Sequence, residues 1–471
     1  MRRATLAVAA LACLTLAGCG SLHVAPTASP DPATASGLGS ADRFATAPAN
    51  APLPGPADAA WWRRFDQPAL GQWVERALAH NLALPLAAAR VDEARALLRG
   101  AQGARSLQVG ATARVDASQR RGSSGRRVEP GAAMTLDWDA DLWGGRRWAE
   151  ASAEASLQQA GQQALATRLS VAALTARAYL AWQEARLDAA QIDASITLLR
   201  DVARIVQIRV DAGLAPPLDG QRARGELAAT EAAAVDALAR VQDTARALQL
   251  LAGEGAAAAL QSPAAAEAPA LPRLQGSSPV VLPLDLLRLR PDLRAAEAGW
   301  RVAVADLGVA EADRRPSLQL PGALTLGTAA GGAVLGQVTA SVAAVLAMPL
   351  LDGGQRLAER DAALARERAA ALAVQQTLQQ ALGEVDAALR ATQNSRSRLA
   401  AQQRAVQEAA ASVAQARTLY TAGLAGFLDV LDAQRSALER QQTLLRLQGD
   451  AARASVATFE ALGLIDTTGA S

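Results

Sequence analysis

Two apolar rhythms alternate along the chain. Residues 148–212 contain no proline and only Gly161 as a glycine, and residues 355–422 do the same with only Gly383. Such unbroken runs of Ala, Leu, Gln, Glu and Arg predict helices, because these side chains lose little rotamer freedom in a helix. At 1.5 Å per residue the first would be a rod of roughly 95 Å. Each rod ends at a Gly-Leu turn, Gly213-Leu214 before Pro216-Pro217 and Gly423-Leu424 before Gly426, and the chain returns through about 218–252 and 427–462. Shorter helical stretches are expected at 58–104, broken near Pro85, and at 284–314.

Between the helices the period falls to two. Leu107, Val109, Ala111, Ala113 and Val115 alternate with Gln108, Gly110, Thr112, Arg114 and Asp116. Residues 132–142 place Ala132, Met134, Leu136, Trp138, Ala140 and Leu142 on one face and Thr135, Asp137, Asp139 and Asp141 on the other. Leu318, Leu320, Leu324 and Leu326, then Val338, Ala340, Val342, Ala344, Leu346 and Met348, repeat the rhythm. Strands of roughly 10–12 residues suffice for a tilted crossing of a bilayer. Two environments fit them, a small soluble sheet packed on a helix or a membrane sheet whose acidic face is wet. Trp138, Trp143 and Trp148 cluster near one strand end, either as an interfacial girdle or as packing anchors.

The chain is also duplicated. Ser106-Leu107-Gln108 recurs at 317, Gly144-Gly145 with Arg147 recurs at 353 with Arg356, and Asp211-Ala212-Gly213-Leu214 finds a partner beginning at Thr421, so the offsets are 211, 209 and 210. The resulting layout is a first repeat at 58–256, a Pro/Ala/Ser linker at 257–283, a second repeat at 284–463 and a tail at 464–471. Helices this long and this rich in alanine need neighbouring helices to supply the other wall, so the chain needs copies of itself.

The N-terminus sets the compartment. Arg2 and Arg3 precede an apolar run from Ala4 to Leu16 that is too short to span a bilayer, and Leu16-Ala17-Gly18-Cys19 reads as a lipobox closing a signal peptide of residues 1–18. The mature chain would begin at Cys19, carrying several acyl chains for stable anchoring, followed by an extended tether over 19–57. Gly20, where an Asp would favour inner-membrane retention, points to the outer membrane.

Composition removes most chemistry. The 47 basic residues against 45 acidic ones give +2, which falls to zero once Arg2 and Arg3 are cleaved, so no basic surface for nucleic acid remains. Cys13 leaves with the signal, so no disulfide or thiolate metal cluster can form. His23 and His80 lie far apart, and without any lysine there is no phosphate-binding G-x-x-x-x-G-K-[ST] loop. Neither an enzyme nor a cofactor beyond the lipid on Cys19 is expected.

The lipobox, the duplicated strand-pair-plus-hairpin units, Leu289-Arg290-Pro291-Asp292-Leu293 with Ala295-Ala296-Glu297, and the Pro349-Leu350-Leu351-Asp352-Gly353-Gly354 exit from the fourth strand together resemble TolC-like outer-membrane efflux ducts. More narrowly, they resemble the lipoprotein, NodT-type branch of the RND efflux ducts. The resemblance covers residues 19–463. It implies a mainly α fold with a membrane β part, in which three subunits give four strands each to one 12-stranded β-barrel continued by a periplasmic α-helical barrel. A passive exit duct for drugs or other small toxic compounds follows, working with a periplasmic adaptor and an inner-membrane pump. Arg105 stands where such chains often carry a proline, and the first tip turn is unusually Pro-rich. Independently of resemblance, four strands cannot close a barrel, and open edges in lipid cost several kcal/mol per unpaired backbone group. Two alternatives are a lipid-anchored periplasmic adaptor and a structural coiled-coil envelope protein. The first would show one shorter hairpin with lipoyl-like β segments, the second sustained heptads without amphipathic strands.

The resemblance also places Tyr420, Asp429 and Asp432 at the periplasmic aperture and the turns Gly213, Leu214, Gly423 and Leu424 at the hairpin tips. Asp429 and Asp432 are three apart, so they share a helical face and around a threefold axis would form two carboxylate rings. The plainer reading makes Asp429 a first-turn acid favoured by the helix dipole and Asp432 a solvated residue. Tyr420 is expected to hold the closed state by hydrogen bonding to the neighbouring hairpin, with Asp219 as a candidate partner.

Overall fold

The structure is a computed structural model and describes residues 56–118, 127–255, 268–276, 289–327 and 337–465. The signal segment, Cys19, nearly all of the tether and most of the linker lie outside the described residues. A 3-10 segment, Pro56–Arg64, leads into α1 (Pro68–His80) and α2 (Ala83–Ala104). The break falls at Asn81-Leu82 and not at Pro85. The Asn81 side chain accepts the Ala83 N–H at 2.9 Å and donates to the Leu251 carbonyl at 2.8 Å. Pro85 lies in the first turn of α2, where a missing N–H leaves no bond unmade.

Strands β1 (Gln108–Ser118) and β2 (Arg127–Asp139) precede the long helix α3 (Gly145–Asp211) and its return α4 (Pro217–Leu251). Helix α5 (Pro291–Ala312), strands β3 (Ser317–Gly327), β4 (Gln337–Val342) and β5 (Val345–Ala347), and helices α6 (Gln355–Thr421) and α7 (Phe427–Ala461) repeat the plan. The paired helices have equal lengths, 67 residues in α3 and α6 and 35 in α4 and α7, at a constant offset of 210 (145 to 355, 217 to 427). The structural equivalents before each rod are therefore Gly144 and Gly354, at φ 75° and 87°, one residue off the match read from the sequence.

The chain divides into two compact units. The first, residues 90–161 with 295–376, holds the sheet, in the antiparallel order β1-β2-β3-β4 with β5 also on β3. Register settles its faces. Val109 lies opposite Leu136, Met134 opposite Leu324, Trp138 opposite Leu320, Leu324 opposite Ala340, and Leu318 opposite Leu346. Paired residues point the same way, so one apolar face runs through every strand while Thr135, Asp137, Thr325, Thr339 and Ser341 occupy the other. Val342 on the apolar face is 86% exposed, and Val109, Val115, Val338 and Leu346 are more than half exposed. The soluble-sheet reading requires a helix over this face, and the described residues supply none.

β4 and β5 keep one register against β3, from Gly322↔Val342 to Gln319↔Val345. They are one strand interrupted where Pro321 has no N–H to give to the ladder, though its carbonyl still accepts from Ala343 at 2.9 Å. The second strand is shifted from 132–142 to 127–139. Asp141 is not a strand residue: at φ 41° it turns the chain, and its carboxylate accepts the Arg146 and Arg147 N–H groups at 2.9 and 3.2 Å. Asp352 takes the Gly354 and Arg356 N–H groups in the same way, at 3.0 and 3.2 Å. Trp138 stays on the apolar face, whereas Trp143 donates to the Pro316 carbonyl at 2.7 Å beneath the Arg315 guanidinium, and Trp148 packs against Gly308. The latter two serve as packing anchors.

The second unit, residues 56–89, 162–294 and 377–465 among those described, holds the rest of the hairpins. Trp61 is fully buried and stacks on Phe459 with centroids 5.5 Å apart. Part of the expected linker is ordered, since Asp66 N donates to the Arg273 carbonyl and Gln275 N to the Arg64 carbonyl at 3.0 and 2.8 Å.

Candidate functional site at the hairpin tips

Both rods end by the same local chemistry. Gly213 and Gly423 adopt φ 71° and 74°, which an L side chain resists, and so can donate to Val210 O and Tyr420 O, at 2.9 and 3.0 Å. Leu214 N and Leu424 N then reach back to Arg209 O and Leu419 O at 2.7 and 2.8 Å, completing Schellman motifs. This geometry throws the following leucine outward, and Leu214 and Leu424 are 69% and 77% exposed. Leu218 and Leu428, one turn on, are about half exposed as well, so each repeat offers a matching pair of apolar knobs.

The two returns start differently. Asp429 is the third residue of α7 and accepts the Gly426 N–H at 2.9 Å, so it caps its helix as the plainer reading requires. Asp219 holds the equivalent place in α4 but faces Pro216, which has no N–H, and instead lies 3.8 Å from Arg222. Arg222 is itself the counterpart of Asp432 in the duplicated frame, a reversal of charge between the two tips. Asp429 and Asp432 are both exposed, which leaves their shared face open.

Tyr420 is buried between the hairpins. Its ring lies 6.0 Å from that of Phe427, and it joins Phe427, Val430 and Leu431 in a core with Val202 and Val206 of α3 and Ala223 of α4. The Arg209 guanidinium stacks 4.7 Å over the ring and donates to the Tyr420 carbonyl at 2.6 Å. Burial raises the Tyr420 phenol above its ordinary pKa; the Arg209 charge lowers it and the Asp219 charge adds to the rise. The expected bond to Asp219 is not made, and the hydroxyl has no hydrogen-bond partner among the described residues.

Sequence reasoning missed a strong link at this end. Arg435 of α7 grips Glu226 of α4 with two bonds, Nε to Oε1 at 3.0 Å and Nη2 to Oε2. That grip holds the Glu226 carboxyl below its ordinary pKa, against a smaller opposing effect of burial. The partners lie 209 residues apart, so no local pattern marks them. Among the described residues no cluster of His, Cys, Asp and Glu is placed to hold a metal ion, and no helix is long and apolar enough to cross a membrane.

A family model described as outer membrane efflux protein matches residues 73–254 and 282–464, one stretch for each repeat. The pyoverdine export outer membrane protein OpmQ of Pseudomonas putida is 29% identical over 424 residues, covering 86% of this chain and 88% of its own. Among solved structures, the outer-membrane channel OprN matches with a TM-score of 0.79 at 28% identity, covering 88% of this chain and 97% of that one. The outer membrane protein VceC of Vibrio cholerae gives 0.79 at 27% identity, with 86% and 98% covered.

Proposed function

The chain belongs to the outer membrane efflux protein family, and from that premise we propose that three copies close their sheets into one barrel. It is an outer-membrane channel subunit of a tripartite efflux system. Four strands from each of three copies line a wet lumen, the helical hairpins extend it into the periplasm, and an acylated Cys19 anchors each subunit. A periplasmic adaptor docks on the tip leucines Leu214 and Leu424, presented by Gly213 and Gly423, and an inner-membrane pump supplies drugs or other small toxic compounds. The duct itself performs no catalysis. The observation that carries this reading is the sheet. Its single apolar face runs through the described strands, and its outer edges have no partner strand among the described residues. In hydrocarbon such edges are tolerable only if copies of the chain pair with them.

Asp429 and Asp432 ring the narrowest part of the periplasmic aperture, beside Tyr420. Converging carboxylates there attract cations and resist full closure. In planar bilayers, Asp429→Asn with Asp432→Asn is expected to raise single-channel conductance and abolish block by polyvalent cations, because Asn keeps a cap acceptor while removing the charge. Asp429→Ala with Asp432→Ala should do the same and also cost α7 about 0.3–1 kcal/mol, the worth of an exposed first-turn acid. Unchanged conductance and block in assembled trimers would place the constriction elsewhere.

Lipidation is tested separately. Cys19→Ser is expected to abolish acylation and lipoprotein-type cleavage while the barrel still inserts. Acyl-chain mass on that variant would contradict the lipobox.

A further inference from the structure

The described part of the linker is bonded along one edge only. It runs extended beside residues 64–66, with Asp66 N donating to the Arg273 carbonyl, Gln275 N to the Arg64 carbonyl, and Phe65 opposite Leu274. In that antiparallel pattern the Leu274 N–H and carbonyl turn the other way, and neither has a partner among the described residues. A chain of bonds from the interior fixes this arm. Gln183 donates to the Tyr179 hydroxyl at 2.8 Å, that hydroxyl to Gln67 Oε1 at 3.0 Å, and Gln67 Nε2 to the Ala270 carbonyl at 2.9 Å.

Between the arm and helices α6 and α7 lies a cleft of about 570 Å³, within the range of ligand pockets. Arg273 and Arg396 line it, both exposed, and neither guanidinium has a hydrogen bond or an ion pair among the described residues. One carboxylate shares the lining, that of Asp66, and it already accepts the Arg273 N–H at 2.7 Å. The duplication supplies a comparison. Arg186 is the counterpart of Arg396 at the constant offset of 210, but it stacks 4.9 Å over Trp182 and donates to Gln183 at 3.2 Å. The second repeat has Thr392 in the place of Trp182 and Gln403 in the place of Asp193, so its arginine is released and the carboxylate that would oppose an anion is gone.

We propose that this cleft receives an extended acidic peptide segment of another periplasmic protein. Its backbone adds to the free edge at Leu274, and its carboxylates pair with Arg273 and Arg396. The free edge selects a peptide over a small anion, and the two unpaired guanidinium groups select acidic side chains. Access from the periplasm rests on the placing of the hairpins there.

The test uses the full-length lipidated trimer and a fluorescein-labelled octapeptide of alternating valine and aspartate, followed by fluorescence anisotropy at low salt. Saturable binding is expected. Arg396→Gln and Arg273→Gln should each weaken it about tenfold or more, the loss of one charge-assisted bond, while Arg186→Gln leaves it unchanged. A probe N-methylated throughout, which keeps its carboxylates but has no N–H to pair, should bind as weakly as to those two variants. Absence of binding, equal binding by all three arginine variants, or full binding of the N-methylated probe would overturn the proposal. So would competition by succinate at the concentrations at which the peptide binds, which would show a simple anion site, or tighter binding of a cell-wall muropeptide. Binding is read on purified trimers and the channel reading on conductance, so failure of one is distinguishable from failure of the other.

Discussion

Arg290→Ala is expected to lower the stability of the folded chain by about 1–3 kcal/mol, because a buried guanidinium is lost from the Ala461 carbonyl and from two half-exposed carboxylates. The Arg290 side chain is 8% exposed just before α5. Its guanidinium grips Asp292 through Nε at 3.0 Å and Nη2 at 2.6 Å, meets Glu384 of α6 at 2.7 Å and donates to the Ala461 carbonyl at the end of α7 at 2.9 Å. Gly463, at φ 71°, packs so closely on Leu289 and Arg290 that a Cβ there would sit 2.8 Å from the Arg290 Cα. The Arg-Pro-Asp run quoted above as a family resemblance is thus a clamp joining the start of α5 to two other helices.

Burial alone would raise the Asp292 carboxyl, but the bonds and charge of Arg290 outweigh it and hold the pKa below the ordinary value. A lowered folded pKa means that the stabilisation is fully present above the ordinary carboxylate range, near pH 4, and is lost as pH falls through the lowered value. In Arg290→Ala this acid-dependent loss shrinks, because only the backbone N–H bonds of Leu293 and Asp292 then oppose burial. Urea unfolding followed by helicity at several pH values checks both. Replacing all three charges together, by Arg290→Met, Asp292→Leu and Glu384→Leu, should cost much less than Arg290→Ala alone. An equal loss would show that the clamp works through shape and not charge.

Leu136→Arg is expected to destabilise the assembled barrel by about 2–4 kcal/mol per subunit if the residue lies near the bilayer midplane, while Asp137→Arg should leave assembly intact and alter conductance. The two residues are neighbours in β2, yet Leu136 shares its face with Val109 and Asp137 belongs to the opposite one. The fraction of heat-modifiable trimer in outer-membrane extracts measures the effect. Equal damage from both changes would speak for a sheet wrapped by protein.

The rods, the hairpin turns and the sheet faces were legible in the sequence because each is set by short-range chemistry. An unbroken helical run, a glycine with positive φ and a period of two need no knowledge of distant residues. What was misread depended on side chains reaching out of register. Asp141 fits the alternation of β2 but is drawn away to cap α3. The tip was half legible. Asp429 and Asp432 are singled out by the family resemblance, their spacing adding only a shared helical face, whereas the Arg435–Glu226 grip and the burial of Gln434 depend on how one hairpin meets the other. Tyr420 shows the limit, because the resemblance suggested a hydrogen bond to Asp219 and the hydroxyl has no partner among the described residues.

The central claim is that one face of this sheet meets lipid and the other a water-filled lumen. Cys13 and Cys19 are the only cysteines in the sequence and both precede the first helix, so single cysteines at 134 to 139 can be read against that background in assembled trimers. Thr135→Cys, Asp137→Cys and Asp139→Cys should react with a water-soluble maleimide, while Met134→Cys, Leu136→Cys and Trp138→Cys should resist it, and fluorophores placed at those three positions should be quenched by brominated lipid. Uniform labelling of all six, or protection of the odd-numbered positions, would contradict the account.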